Sequence, residues 1–213
     1  MSNLPVPWTL AADCAALLVL ALYHLRLVHH LRHDPTRTMI GRNRGVRRAW
    51  LADVIARRAD ILAVQTLRNW AMTATFLAST AILIALGIVH FTFTNEPGAA
   101  AASTLLRAPW AGAKLLVLAS LFFVAFFCFA QTLRALNHLG FEIVVAREES
   151  FEAVLAHLHR HADNFTLGMR SFYLSLPFSL WLFGALHFLA AALVLTLLLL
   201  RLDYARDPGP PPG

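Results

Sequence analysis

The stretch RLVHHLRHDPTRTMIGRNRGVRRAWLADVIARRAD, residues 26–60, carries nine arginines and three aspartates. Its net charge of +6 equals the formal net charge of the whole 213-residue chain. The stretch lies between two apolar runs, and a basic loop beside a hydrophobic span is the feature that orients a membrane protein. It therefore predicts an integral membrane protein whose arginine-rich loop faces the cytoplasm.

The composition agrees with a membrane location. Apolar residues make up 58% of the chain, and only 14% are Asp, Glu, Lys or Arg, against about 25% in soluble domains. Because the positive charge is concentrated at a membrane edge, we expect the segment Arg42–Arg58 to bind anionic lipid headgroups, at about 1 kcal/mol per basic residue. We expect no nucleic-acid partner.

A helix needs about 20 apolar residues to cross the hydrocarbon layer. Four stretches of the chain meet this requirement: residues 8–28, 68–91, 110–137 and 172–200. The arginine distribution places segment 29–67 and loop 138–171 in the cytoplasm and both termini outside. The sequence thus predicts an all-α, four-span domain over residues 1–206 in a bacterial inner membrane, followed by a disordered Pro- and Gly-rich tail at 207–213.

The cytoplasmic segments show helical patterns of their own. Residues from Val46 to Phe91 contain no proline, which favours one long helix that enters span two from the cytoplasm. Span three can likewise continue past Gly140 through residues 147–161, and the two extensions would pair as a helical hairpin. The alternative is that residues 46–67 form an interfacial helix lying on the membrane surface.

Several strings in the chain resemble one family. They are DPTRTMIGRNRGVRRA (34–49), LAVQTLRNWAMTATFLASTAILIALG (62–87), FFVAFFC (122–128) and GMRSFYLSLPFSLWLFG (168–184). The chain is similar over nearly its whole length to the uncharacterised membrane family catalogued as domain of unknown function 599. The resemblance implies a four-span membrane protein without an assigned activity, and it implies no catalytic residues.

Two opposite charges occur near the outer ends of spans one and three. Asp13 follows Trp8 by five residues, and Lys114 follows Trp110 by four. Both spans enter the membrane from outside, so the two charges share a depth and we expect an intramembrane ion pair. The pair would act as a packing clamp between helices or, alternatively, as a proton or ion site.

Polar side chains form stripes on spans two and three, toward the cytoplasmic side. The stripe residues are Gln65, Arg68, Asn69 and Thr73 on span two, and Gln131, Arg134 and His138 on span three. Such groups need partners or water inside a membrane. They form either an interhelical hydrogen-bonded network or an aqueous pathway. In the pathway, Arg68 and Arg134 would form one anion-attracting vestibule.

We expect no cofactor and no metal site from the sequence. His24 and His138 share a depth near the cytoplasmic edge and are the alternative for haem ligation. The histidine runs 29–33 and 157–161 contain i, i+4 pairs but no third ligand of clear spacing. No nucleotide-binding or hydrolase motif occurs, so we predict no catalytic residue. Enzymatic activity has little positive support, and intramembrane chemistry by Asp13 or the histidines stays open.

Two functions from different classes remain open. One is an oligomeric channel or transporter for a small, anionic solute, because four helices rarely enclose a pore alone. The other is a non-catalytic accessory or assembly subunit of a larger membrane complex. The direction in which the span-two stripe points distinguishes them: a shared axis favours transport, and neighbouring helices of the same subunit favour a scaffold.

Overall fold

The computed structural model of the chain describes residues 6–93 and 110–204. Helices account for 95% of these residues, and none of them forms a β-strand. They make up α1 (Val6–His33), α2 (Met39–Arg57), α3 (Asp60–Phe93), α4 (Ala111–Val145), α5 (Phe151–Leu180) and α6 (Ala185–Asp203). The predicted all-α class is confirmed, while the predicted tail at 207–213 lies outside the described residues.

Four of the described helices, α1, α3, α4 and α6, are long and apolar enough to cross a membrane. The prediction of four candidate spans is therefore confirmed. The helices of spans two and three extend beyond their apolar limits, since α3 begins at Asp60 and α4 ends at Val145. Each is about 50 Å long at 1.5 Å per residue, well over the hydrocarbon thickness.

The described residues fall into two compact units. The first, from residues 1–46 and 184–213, contains α1, the start of α2 and α6. Within it α6 packs against α1. At the end of α6 the Tyr23 hydroxyl donates to the buried Asp203 carboxylate, and the Tyr204 ring contacts Arg26 and His30. These contacts join the C-terminal end of α6 to the C-terminal part of α1.

The string at residues 34–49 forms the turn between α1 and α2 and the first part of α2. Fully buried Thr38 donates its hydroxyl to the Pro35 carbonyl at 2.9 Å and accepts from the Gly41 amide at 3.1 Å. A Cβ at Gly41 would lie 2.0 Å from the Pro35 carbonyl oxygen, which is impossible without moving the backbone. Proline, threonine and glycine in this string are therefore explained by the geometry of the turn.

The second unit, residues 47–183, contains the rest of α2 together with α3, α4 and α5. Leu51 and Val54 of α2 join a buried cluster with Leu67 of α3, Leu139 of α4 and Leu158 of α5. The C-terminal half of α2 is thus docked on the ends of three other helices. The short extensions that do form, residues 60–67 of α3 and 138–145 of α4, contribute Ala63, Leu67, Leu139 and Ile143 to this cluster.

The predicted continuous helix from Val46 to Phe91 is wrong, because α2 ends at Arg57 and α3 begins at Asp60. Arg58 adopts φ 54°, and the Ala59 amide donates to the Val54 carbonyl at 3.0 Å. This is a Schellman ending, which usually employs glycine. The Arg58 guanidinium also donates to the Ala146 carbonyl at the end of α4, at 3.3 Å, and this contact helps to offset the left-handed backbone.

The predicted helical pattern after span three also needs correction. Helix α4 continues past Gly140 but stops at Val145, so it does not pass through residues 147–161. The chain instead turns at residues 146–150, where Ser150 exchanges hydrogen bonds with the Arg147 backbone, and α5 begins at Phe151.

The predicted fourth span, 172–200, is interrupted. Helix α5 ends at Leu180, a 3₁₀ turn covers Trp181–Phe183, and α6 begins after Gly184. Gly184 has φ 136°, a conformation that residues with a Cβ rarely adopt. The apolar stretch read as one span therefore contains the end of one helix and the whole of another.

Candidate functional site

Helix α5 runs antiparallel along α4 within the second unit. The Phe165 ring contacts Phe129, the Phe172 ring contacts Phe122, and Trp181 lies against Lys114. As residue numbers rise on α5 they fall on α4. The second half of α5 therefore follows α4 over most of its apolar length.

A close approach holds the two helices together near their middle. A Cβ at buried Gly168 would lie 2.8 Å from the Phe129 ring and 3.1 Å from Cys128 Cβ. One turn away, the buried Thr132 hydroxyl lies 2.9 Å from the Cys128 carbonyl and 3.4 Å from the His161 carbonyl of α5. Only glycine fits this crossing, and it fixes how α4 and α5 face each other beyond it.

Beyond the crossing, the polar parts of α4 and α5 enclose a groove of about 260 Å³. We call it the α4/α5 groove. Its polar lining comprises Gln131, Arg134, His138 and Glu142 from α4 and His157, Arg160 and His161 from α5. The α4 residues follow at i, i+3, i+7 and i+11, so they share one helical face. All three predicted stripe residues of span three lie here.

The charges of the α4/α5 groove are unevenly partnered. Glu142 accepts from or pairs with the His157 ring nitrogen at 2.9 Å. Arg134 and Arg160 form no hydrogen bond or ion pair with any described residue. The single carboxylate of the groove is therefore engaged by a histidine, while both guanidinium groups remain available to a ligand.

His161 lies deepest among the groove histidines. Its Nδ1 atom is buried without a hydrogen-bond partner among the described residues, and its ring centroid is 6.4 Å from that of His157. Burial lowers the pKa of His161, and the charges of His157 and Arg160 lower that pKa further. Both causes disfavour the charged ring, the second because the surroundings are already positive.

A second groove, of about 380 Å³, lies between α3 and α4. We call it the α3/α4 groove. It is lined mainly by apolar side chains, with Arg68 and Asn137 as its polar members, and Gly140 leaves one wall open. Arg68 and Arg134 thus line different grooves. The structure does not bring the two stripes to one cavity within the subunit, and a pathway through them stays a prediction.

The polar stripe of α3 lies on the surface of the second unit, with Arg68 at the edge of the α3/α4 groove. Gln65, Arg68, Asn69 and Thr73 are all exposed. The Thr73 hydroxyl is satisfied by the Asn69 carbonyl of its own helix at 3.1 Å. No described residue of another helix hydrogen-bonds to these four side chains, so the stripe is available to a neighbouring molecule.

The predicted ion pair between Asp13 and Lys114 stays a prediction, because the two residues belong to different units. The Lys114 ammonium donates to the Trp181 carbonyl at 3.2 Å and lies 4.7 Å from the centre of the Trp181 ring. It therefore caps the carbonyl end of the helical segment that includes α5, where a cation is favourable.

The haem alternative also stays a prediction. His24 lies in the first unit, where its Nδ1 is 2.7 Å from the Leu20 carbonyl, and His138 lines the α4/α5 groove of the second. Among residues 6–93 and 110–204, no group of three or more His, Cys, Asp or Glu side chains could hold a metal ion.

The sequence profile of the family described as "Protein of unknown function, DUF599" matches residues 11–208. The chain belongs to this family. The match confirms the resemblance inferred from the four strings. Neither the curated proteins nor the solved structures include a match to this DUF599 chain.

Sequence reasoning missed four polar residues of the groove in this DUF599 chain: Glu142, His157, Arg160 and His161. The histidines of run 157–161 were considered as metal ligands, and they offered no third ligand of clear spacing. Glu142 continues the i, i+4 spacing of His138, and this signal was available. The sequence did not predict the turn at residues 146–150, which places α5 against the polar face of α4.

Proposed function

We propose that this membrane protein is an oligomeric transporter or channel for a small anion, with the α4/α5 groove as its anion site. The observation that carries the proposal is the pair Arg134 and Arg160, which line one groove without a carboxylate partner among the described residues. Unpaired arginines at a membrane edge concentrate anions. The exposed stripe on α3 supports assembly, since polar groups in a membrane need partners.

The location that we propose is the inner membrane of a bacterium. The N-terminus lies outside, and the arginine-rich segment and the turn between α4 and α5 lie in the cytoplasm, in line with the positive-inside bias. The exposed arginines of Arg42–Arg58 would then contact anionic headgroups. The three exposed ones also have partners within the protein: Arg48 pairs with Glu152, Arg57 pairs with Asp53, and Arg58 donates to the Ala146 carbonyl.

For the C-terminus we propose a cytoplasmic position, opposite to the one expected from four crossings. Helix α5 runs along α4 as far as Lys114, near the outer end of α4. A chain that enters α5 from the cytoplasm thus reaches the outer face at Trp181. If α6 then crosses the membrane, it returns the chain to the cytoplasm after five crossings.

The packing inside the first unit supports this direction independently. Asp203 and Tyr204, at the end of α6, contact Tyr23, Arg26 and His30. Buried side chains occur along α6 from Ala185 onward. In an antiparallel arrangement the first half of α6 would extend beyond the end of α1. Parallel packing keeps it on α1, and both helices then run from outside to inside.

The topology can be tested in the full-length chain. A C-terminal fluorescent protein that folds only in the cytoplasm should be bright. In a Cys14→Ser, Cys128→Ser background, Phe183→Cys should react with a membrane-impermeant maleimide added to intact cells, because Phe183 is exposed in the turn before α6. A dark fusion, or labelling of Phe183→Cys only after lysis, would reject five crossings.

Transport can be tested in liposomes that contain the purified protein. We expect anion flux in the wild type and at least tenfold weaker flux in Arg134→Gln and Arg160→Gln, since a hydrogen bond to a charged group contributes about 1.5–3 kcal/mol. Assembly, followed by native mass spectrometry, should be intact in both variants. A Gln65→Leu, Asn69→Leu variant should instead lose assembly.

An accessory subunit of a larger complex is the alternative, and the same exposed stripe on α3 favours it. Absence of flux for chloride, sulfate, phosphate and acetate in assembled wild-type protein would count against transport. Co-purification of a stoichiometric membrane partner that is lost in Gln65→Leu, Asn69→Leu would then favour the accessory role.

A further inference from the structure

The α4/α5 groove has a positive charge that depends on protonation. Two arginines and one glutamate give a net charge of +1 when the three histidines are neutral. Each protonated histidine adds one positive charge, up to +4. Histidine is the side chain whose charge ordinarily changes near neutral pH. The groove can therefore change from weakly to strongly positive without a change of fold.

The donors of the groove suit an oxyanion better than a halide. Guanidinium groups present parallel N–H donors that match two oxygens of one ligand. Arg134 comes from α4 and Arg160 from α5, so a ligand between the helices can contact donors from both sides. The His161 ring also lines the groove, although its Nδ1 atom is itself buried. A tetrahedral oxyanion has enough acceptor oxygens for both guanidinium groups, whereas a halide has no second oxygen to offer.

The groove also lies where its contents can be exchanged. His138, His157 and Arg160 are exposed at its rim. They belong to the polar ends of α4 and α5, which the positive-inside bias assigns to the cytoplasmic face. Both dissolved anions and the headgroups of inner-leaflet lipids reach this level.

We propose that the α4/α5 groove binds a tetrahedral dianion of the phosphate or sulfate type, with proton uptake by the groove histidines that tightens binding as the pH falls. The ligand is either a free ion or the phosphate of an anionic lipid. The inference deepens the proposed anion transport and rests on the same groove. The groups facing the ligand are Arg134, His138 and Glu142 from α4 and His157, Arg160 and His161 from α5.

The primary experiment is calorimetric titration of the purified full-length protein with sulfate at pH 8 and pH 6. Sulfate stays a dianion over this range, so a change in affinity reports the protein and not the ligand. We expect at least fivefold tighter binding at pH 6. Titrations in two buffers of different ionisation enthalpy should show net proton uptake. Equal sulfate affinity at both pH values, or sulfate binding without proton uptake, would overturn the proposed coupling of binding to histidine protonation.

Variants separate the groove from general electrostatics. Arg134→Gln should weaken sulfate binding at least tenfold, and Arg134→Lys should be intermediate because it keeps the charge but loses the forked donors. Glu142→Gln should tighten binding, because it removes the only groove carboxylate and releases His157. Arg201→Gln is the control: Arg201 is an exposed arginine of α6 that does not line the groove. If Arg201→Gln weakens binding as much as Arg134→Gln, the site is wrong.

Two competition experiments distinguish a free ion from a lipid headgroup as the ligand. Inorganic phosphate should compete with sulfate in detergent if the ligand is a free ion. If it is a lipid, phosphatidic acid in nanodiscs should abolish sulfate binding, whereas phosphatidylcholine nanodiscs should not. Sulfate binding that requires Arg134 but occurs in a protein without flux would retain this site and reject transport. Flux that is indifferent to Arg134→Gln, with no sulfate binding, would reject the site and leave transport standing.

Discussion

Helix α4 has one groove on each side, and the two grooves differ in almost every property. The α3/α4 groove is larger, mainly apolar and open at Gly140. The α4/α5 groove is smaller and polar, and it begins just past the tight crossing at Gly168. One helix therefore lines an apolar groove on one side and a polar groove on the other. The difference shows that the role of a stripe of polar residues depends on which helix packs against it.

The largest effect is expected at the two glycines that set these walls. Gly168→Ala places a Cβ 2.8 Å from the fully buried Phe129 ring, which cannot move away easily, so we expect a loss of up to about 3 kcal/mol. Gly140→Ala meets nothing within 4 Å and should be neutral or stabilising by up to about 1 kcal/mol. Reversible unfolding in mixed micelles measures both. Equal losses would mean that the two walls are packed alike.

The same comparison shows how far the sequence could be read. Long apolar runs predicted the spans, because hydropathy alone sets them. The end of α2 at Arg58 was missed, because an arginine occupies a backbone position where glycine is the usual signal. Gly184 gave such a signal, but it was embedded in an uninterrupted apolar run. The α4 residues of the groove were predicted from their spacing. The α5 residues were not, because they reach the groove only through the turn at residues 146–150, and the sequence does not show which face of α4 that turn brings α5 against.

The next effect concerns the contact between the N-terminal end of α4 and the C-terminal end of α5. Lys114→Met removes the donor to the Trp181 carbonyl and the contact with the Trp181 ring. We expect a loss of about 2 kcal/mol in the free energy of unfolding, as for a hydrogen bond from a charged group. Lys114→Arg keeps a cation there and should lose less. A variant Lys114→Met as stable as the wild type would show that this contact does not help to hold α5 on α4.

A double-mutant cycle adds Asp13→Asn to Lys114→Met. If Asp13 pairs with Lys114, as the sequence predicts, the combined loss should be smaller than the sum of the single losses. Additive losses would leave the Trp181 carbonyl as the measured partner of Lys114 and reject the ion pair.

The smallest effect compares two threonines on the two sides. Thr132 is fully buried on the α5 side, and its one hydroxyl hydrogen can reach the Cys128 carbonyl of α4 or, at 3.4 Å, the His161 carbonyl of α5. Thr73 is exposed on α3 and bonds only within its own helix. Thr132→Val keeps the shape but loses a buried hydrogen bond, for about 1 kcal/mol, whereas Thr73→Val should change stability by less than about 0.5 kcal/mol. Because valine fills the same space, a larger loss at Thr132 measures polar contact and not packing. Equal effects would show that Thr132 bonds only to its own helix and adds no polar contact between α4 and α5 at the glycine crossing.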